Sequence, residues 1–316
     1  GSELVPLSLT QLPAEVKISI FEGALAQEQT ELDATKQELE KAKKRKEAHD
    51  AFVEFQHSFP NASRSNAFLD VYEPGSVTKV FTAAAALEEG VVDLSMVFDL
   101  ENGLLELQDK DESTITDTSP RASGDLATII QKSSNIGTAK IGFLLGAERL
   151  ERYFQNFGFG AISGSGFPGE ARGSLRPSSK WTRVGLANIA FGQGFSVTGI
   201  QLATALSALA NGGLLMRPIL VKKVLDEDGV LLREYQPQVI RRVVSAQSAR
   251  TVLDLMRNVV KPGGTGVRAH IPEYPVAGKT GTGQKPHLKK RGYADDMWVS
   301  TFFGVAPADN PELAVV

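Results

Sequence analysis

The stretch PGSVTKVFTAAAALEEG, residues 74–90, constrains the fold more than any other part of the chain. The four alanines Ala83 to Ala86 favour a helix, and their small side chains let neighbouring elements come close. Because apolar residues lie all round this helix, it is expected to be buried, with Pro74-Gly75 marking its start and Gly90 its stop. A buried helix needs layers of apolar structure around it. Hydrophobic residues at 42% and charged residues at 22% are enough for that and typical of a soluble globular protein. At 316 residues, one large domain with an appendage, or two domains, is expected.

Ahead of this helix, Val16, Ile20 and Ala24 stand four apart and suggest a helix over residues 11–28. From Gln27 to about Phe55 the chain is densely charged, and only Leu32 and Leu39 hint at a buried stripe. A solvated helix is expected there, since a coiled coil needs three or more heptads. Residues 1–55 therefore read as a charged, helical N-terminal segment, and 56–316 as the main domain. Residues 56–75, rich in Ser, Asn, Pro and Gly, read as a loop. After the alanine helix, DLATIIQK and IGTAKIGFLLG read as two helices with the polar tripeptide Ser133-Ser134-Asn135 between them. Residues 158–179, with six glycines, read as loop. The stretch WTRVGLANIAFGQGFSVTGIQLATALSALANGG carries apolar residues at helical spacing, among them Leu202, Leu206 and Leu209. RPILVKKVLDEDGVLLREY reads as two β-runs about an Asp-Gly turn, and Ser245 as the cap of a helix over SAQSARTVLDLMRNVV. WVSTFFGVAP and PELAVV read as strands. Helices thus fill the middle of the chain, and strands cluster at its carboxyl end.

Several function classes fall away. A net charge of −3, with no basic run interleaved with aromatics, argues against nucleic acid. Without cysteine there is no disulfide, thiolate chemistry or cysteine-ligated zinc. His49, His57, His270 and His287 show no metal-ligand spacing, so no metal site is expected. No stretch reaches the roughly 18–20 consecutive apolar residues of a membrane span. The opening Gly1-Ser2 reads as the remnant of a cleaved tag, so a native anchor is expected to lie outside this chain.

Three polar clusters carry candidate chemistry. Ser76 and Lys79, three apart at a helix start, lie on one face, where an amine of lowered pKa can take the serine proton. The free N–H groups and dipole of the helix start favour developing negative charge. On its own, Ser76 reads more readily as a helix cap than as a nucleophile, and it is expected to keep the cap geometry even as a nucleophile. Ser133 and Asn135 pair a hydroxyl with an amide, although S-x-N alone is usually a turn or a cap. Lys279-Thr280-Gly281-Thr282, after a strand-like approach, combines a cation, two hydroxyls and a glycine, or else is a turn at a strand end. A phosphate loop at Gly278-Lys279-Thr280 is excluded because its first glycine would fall at Glu273.

The conjunction of S-x-x-K, S-x-N and K-T-G-T, in that order, resembles the signature of the penicillin-recognising serine acyltransferases. The flanking segments YEPGSVTKVFT, SSNIGTAKIG, FGQGFSVTGIQLATALSALANGG, GGTGVRAHIPEYPVAGKTGT and FFGVAPADNPELAVV resemble the transpeptidase domain of class B penicillin-binding proteins, particularly the septal, cell-division type, over about residues 64–316.

That resemblance implies an α+β (α/β) penicillin-binding/β-lactamase-like fold, an antiparallel sheet flanked by helices. It implies a serine-type peptidoglycan D-Ala-D-Ala transpeptidase acting through an acyl-enzyme. Ser76 would be the nucleophile, Lys79 its base and Ser133 the proton relay to the leaving D-alanine. Asn135 would hold the substrate amide, and Lys279, Thr280, Gly281 and Thr282 would form the binding strand for the terminal carboxylate. The backbone N–H groups of Ser76 and Thr282 would make the oxyanion hole. Implied partners are peptidoglycan stem peptides, β-lactam antibiotics and cell-division proteins. The implied location is the periplasm or outer face of the cytoplasmic membrane, with the anchor absent from this chain; no metal or organic cofactor is implied. Two other readings remain, a catalytically silent penicillin-binding scaffold and a D,D-carboxypeptidase or serine β-lactamase. Against the family's five-stranded sheet, this chain is expected to lack the first hairpin, whose place the charged segment takes, and the closing helix, the domain being truncated at its C-terminus.

Overall fold

The computed structural model describes residues 14–58, 65–107, 113–286 and 293–316. The chain forms two compact units, residues 1–64 and 65–316. In the first unit a single helix, α1 (Ala14–Ser58), runs through both segments read from the sequence and past residue 55. Every side chain from 25 to 44 is exposed, so Leu32 and Leu39 form no buried stripe. Pairs one turn apart, such as Lys36–Asp33 and Lys41–Glu38, support such a solvated helix by about 0.2–0.5 kcal/mol each.

Of the expected loop at 56–75, residues 59–64 lie outside the described residues. The rest is partly ordered: α2 (Asn66–Leu69) is a short helix whose Phe68 stacks on Phe167 at 4.3 Å between centroids. An apolar anchor that the loop composition concealed thus holds this turn.

At the centre of the second unit lies α3 (Lys79–Glu88), buried from Lys79 to Ala86, and Gly90 with φ +63° ends the turn that follows it. Phe81 packs against Phe157, Phe159 and Phe303 with centroids 4.9, 5.3 and 5.8 Å away. Burying a side chain of this kind stabilises the fold by about 1.5–3 kcal/mol. Strands β1 (Val97–Asp99), β2 (Leu104–Glu106), β3 (Thr114–Thr116) and β4 (Ser123–Asp125) form two small antiparallel ladders, β1 with β4 and β2 with β3. Next come α4 (Leu126–Lys132), α5 (Asn135–Leu145) and α6 (Ala147–Asn156).

The long apolar stretch from Trp181 makes two helices, α7 (Arg183–Phe191) and α8 (Gly199–Ala210). Gly192, at φ +102°, ends α7, and the residues that follow bridge Tyr72 and Ser174 instead of continuing the helix. α5 and α7 approach closely at Gly142, where a Cβ would stand 2.7 Å from that of Ala190.

β5 (Leu214–Met216) leads into β6 (Lys223–Leu225) and β7 (Leu231–Glu234), the expected hairpin, exposed along both strands. β8 (Val239–Arg242) returns to pair with β5. In α9 (Ala246–Arg257), the Ser245 hydroxyl accepts from Ser248 N at 3.1 Å, as read from the sequence. The sheet has three antiparallel strands among the described residues, in the order β11 (Leu313–Val315), β10 (Tyr293–Ala306), β9 (Ala277–Pro286). Helix α9 packs on β9, and α8 on β10 and β11.

Candidate active site

A 3-10 turn over Gly75–Thr78 runs directly into α3 and sets Ser76 and Lys79 one turn apart. Ser76 lies inside this turn, while the cap positions are Pro74 and Thr78, neither with a side-chain capping bond. The expected capping geometry of Ser76 is therefore corrected. The turn is held backbone to backbone: Gly75 N–H donates to Gly192 O at 2.9 Å. A Cβ on Gly75 would stand 2.5 Å from Thr282 O, and one on Gly192 would stand 1.9 Å from Gly75 O. At Gly192 a side chain meets both a left-handed φ and a backbone oxygen. Gly192→Ala is expected to cost at least about 3 kcal/mol of folding stability. Urea unfolding checks this, and an unchanged midpoint would contradict it.

Lys79 is fully buried on α3. Its Nζ donates to Ser133 O at 2.5 Å, Asn135 Oδ1 at 2.7 Å and Ser133 Oγ at 3.3 Å. Lys279 is also fully buried, on β9, and its Nζ donates to Ser133 Oγ at 2.9 Å and Thr280 O at 2.8 Å. Two lysines from different elements thus converge on one serine. Ser133 ends α4 at φ +60°, Ser134 Oγ caps α5 by accepting from Gly137 N at 2.9 Å, and Asn135 opens α5. The Asn135 Nδ2 donates to Thr116 O at 2.9 Å, which fixes the amide with its oxygen towards Lys79.

Burial pushes the Lys79 amine well below its usual 10.5; the nearby Lys279 charge adds to this, and Asp117 opposes it. Burial brings Lys279 down to about 7. An amine displaced towards neutrality can take up and return a proton. The same displacement couples to stability. In the unfolded chain both amines titrate near 10.5, so over pH 7–9 the unfolded state binds more protons and stability rises with pH. The melting temperature is expected to be higher at pH 9 than at pH 7, with a smaller difference in Lys279→Met. An undiminished difference in that variant would contradict this origin.

The register of β9 against β10 pairs Thr280 with Phe302 and Thr282 with Ser300, so these side chains share the cavity face, while Lys279 points to the interior. The segment Lys279–Thr282 is strand and not a turn. Its glycine serves close packing: a Cβ on Gly281 would stand 2.9 Å from both Pro74 O and Val77 Cγ1. A cavity of about 900 Å³ opens here, with Ser76, Ser133, Asn135, Thr280, Gly281 and Thr282 in its lining. The fold therefore brings together all eight sequence-derived candidates, with Lys79 and Lys279 buried beneath the cavity.

Sequence reasoning missed other residues. Asp117, 9% exposed, accepts from Ser134 Oγ at 2.5 Å, Asn135 N at 2.6 Å and Ile136 N at 3.1 Å. Thr265 shares a 2.6 Å hydroxyl–hydroxyl bond with Thr280, and Lys132 Nζ donates to Gly263 O at 2.5 Å. Trp298, half exposed, lines the cavity from β10. The segment GGTG stood out in the sequence without a role; Asp117, near the end of the threonine-rich run over residues 113–118, gave no signal. Among the described residues, no group of acidic and histidine side chains could hold a metal ion, and no helix is long and apolar enough to cross a membrane. His287 lies outside the described residues.

Residues 24–316 match the family model for the penicillin binding protein transpeptidase domain. The chain is 35% identical over 252 residues to a Neisseria gonorrhoeae protein named "Probable peptidoglycan D,D-transpeptidase PenA", covering 80% of this chain and 40% of that protein. The transpeptidase domain of Burkholderia pseudomallei penicillin-binding protein 3 superposes with TM-score 0.71 at 36% identity, covering 79% of this chain and 72% of that one. Penicillin-binding protein 3 of Mycobacterium tuberculosis, complexed with aztreonam, superposes with TM-score 0.72 at 36% identity, covering 78% and 56%. The chain spans about two fifths of the length of the curated relatives it matches first. With this match over most of its length, the chain belongs to the penicillin-binding protein transpeptidase-domain family.

Proposed function

We propose that this chain carries the acyl-transfer centre of a septal-type peptidoglycan D,D-transpeptidase, within the unit formed by residues 65–316. The observation that carries the reading is the convergence of buried Lys79 and Lys279 on Ser133, beneath the cavity that Ser76 lines. Ser76 Oγ attacks the carbonyl carbon of the penultimate D-alanine of a stem peptide, and its proton passes to Lys79. The N–H groups of Ser76 and Thr282 hold the oxyanion. The tetrahedral adduct collapses as the C–N bond breaks, and the departing D-alanine nitrogen takes a proton through Ser133. Asn135 holds the donor amide, and Lys279, Thr280 and Thr282 bind the terminal carboxylate. An amine of a second stem then attacks the ester, forms the cross-link amide and returns Ser76 to its hydroxyl form. β-Lactams acylate Ser76 in the same way and leave it blocked. Cell-division proteins are the expected macromolecular partners, and the outer side of the cytoplasmic membrane is the expected place of action. The names and titles of the similar proteins support this reading.

Mixing the protein with a fluorescent penicillin is expected to give one long-lived adduct, read by intact mass. Rapid multiple turnover of nitrocefin would favour a hydrolase instead. A folded protein that forms no adduct would favour a silent scaffold.

A further inference from the structure

The turn that presents Ser133 and Asn135 does not hold itself. Ser133 sits in the left-handed region, where a residue with a Cβ is strained, and the next three residues lean on a carboxylate from outside the turn. Asp117 follows β3, and its own N–H donates to Gly103 O at 3.1 Å. One oxygen accepts the Ser134 hydroxyl and the other accepts two backbone N–H groups at the start of α5. The residue just before it, Thr116, takes the Asn135 amide. One short segment therefore anchors both the backbone and the side chain of the S-x-N turn.

Charge makes the arrangement asymmetric. Lys79 from α3, Lys279 from β9 and Lys132 at the end of α4 all approach this turn, through Ser133 contacts or direct chain neighbourhood. Asp117 is the acidic group that acts on Lys79. It makes no hydrogen bond to either buried lysine among the described contacts, so it acts on both through the turn and on Lys79 also through its field.

We infer that Asp117 is a positioning residue of the acyl-transfer site. It clamps Ser134, Asn135 and Ile136 so that the Ser133 hydroxyl and the Asn135 carbonyl meet the two buried lysines. It also supplies a negative charge that partly offsets that of Lys79. This rests on the proposed acylation of Ser76. No contact of Asp117 with substrate is implied.

The test compares Asp117→Asn and Asp117→Ala with the unaltered protein, reading second-order acylation by fluorescent penicillin between pH 5 and 9 together with thermal melts. The asparagine variant keeps an oxygen for the two backbone N–H groups but lacks the charge. It is expected to stay folded and to acylate about 10-fold more slowly, the alanine variant about 100-fold. Since Asp117 opposes the lowering of Lys79, removing its charge lets Lys79 lose its proton at lower pH. The acidic limb of the acylation profile is therefore expected to move to lower pH in Asp117→Asn. An asparagine variant with unaltered rate and limb would overturn the inference. So would a rate loss matched by a lower melting temperature with the limb unmoved, which marks a merely structural aspartate. Absence of acylation in the unaltered protein would instead overturn the proposed function, so the two failures are distinguishable.

Discussion

Ser76→Ala is expected to abolish the covalent penicillin adduct and to reduce peptide transfer by at least about 10⁴-fold, because the proposed acyl-enzyme route without its nucleophile has no second entrance. The change should leave the fold intact. Ser76 makes no capping bond, and the turn that holds it depends on Gly75, Gly192 and Thr282 backbone contacts, which alanine at 76 does not touch. Intact mass after exposure to penicillin, with a melting curve alongside, gives the result directly. A full-mass adduct surviving in Ser76→Ala would place the nucleophile elsewhere, and the two lysines on Ser133 would then need another explanation.

Lys79→Met ranks second. Methionine fills much of the buried volume without the amine, so the proposed base is removed while an apolar side chain remains in a fully buried position. Acylation is expected to fall by about 10³-fold, within the usual range for loss of a general base. The sign of the pH effect follows from the direction of the shift. Lys79 in the folded protein gives up its proton well below 10.5, so acylation should rise with pH along an acidic limb lying below that value. In Lys79→Met that limb should disappear. Stopped-flow acylation across pH checks both points, and a variant that keeps the limb would assign the base to another group. Lys279, brought to about 7 by burial, is the alternative such a result would indicate.

Much of the site is legible in the sequence alone. Glycine and proline marks bounded the helix after Ser76, and S-x-x-K, S-x-N and K-T-G-T kept their order along the chain. Local readings failed where distant backbone decided the outcome. Gly192 breaks an otherwise helical apolar run because the chain must turn there to receive the Gly75 N–H. Phe68 turns a loop-like segment into a short helix through a partner about a hundred residues later, Phe167. Gly281 looked like a turn residue and is a strand residue against which Val77 packs.

By itself the sequence determined the residue types and order of the candidate site groups, the buried alanine helix and the solvated charged helix, because periodicity, caps and glycine stops act within a few residues. Only the tertiary structure decided that Lys79 and Lys279 share Ser133, that their burial displaces both amines, and that Asp117 braces the turn between them. Those facts depend on desolvation and on contacts between α3, the turn before α5, and β9, elements up to about two hundred residues apart in the chain. No local pattern encodes such a distance; burial does, by leaving the polar groups only one another as partners.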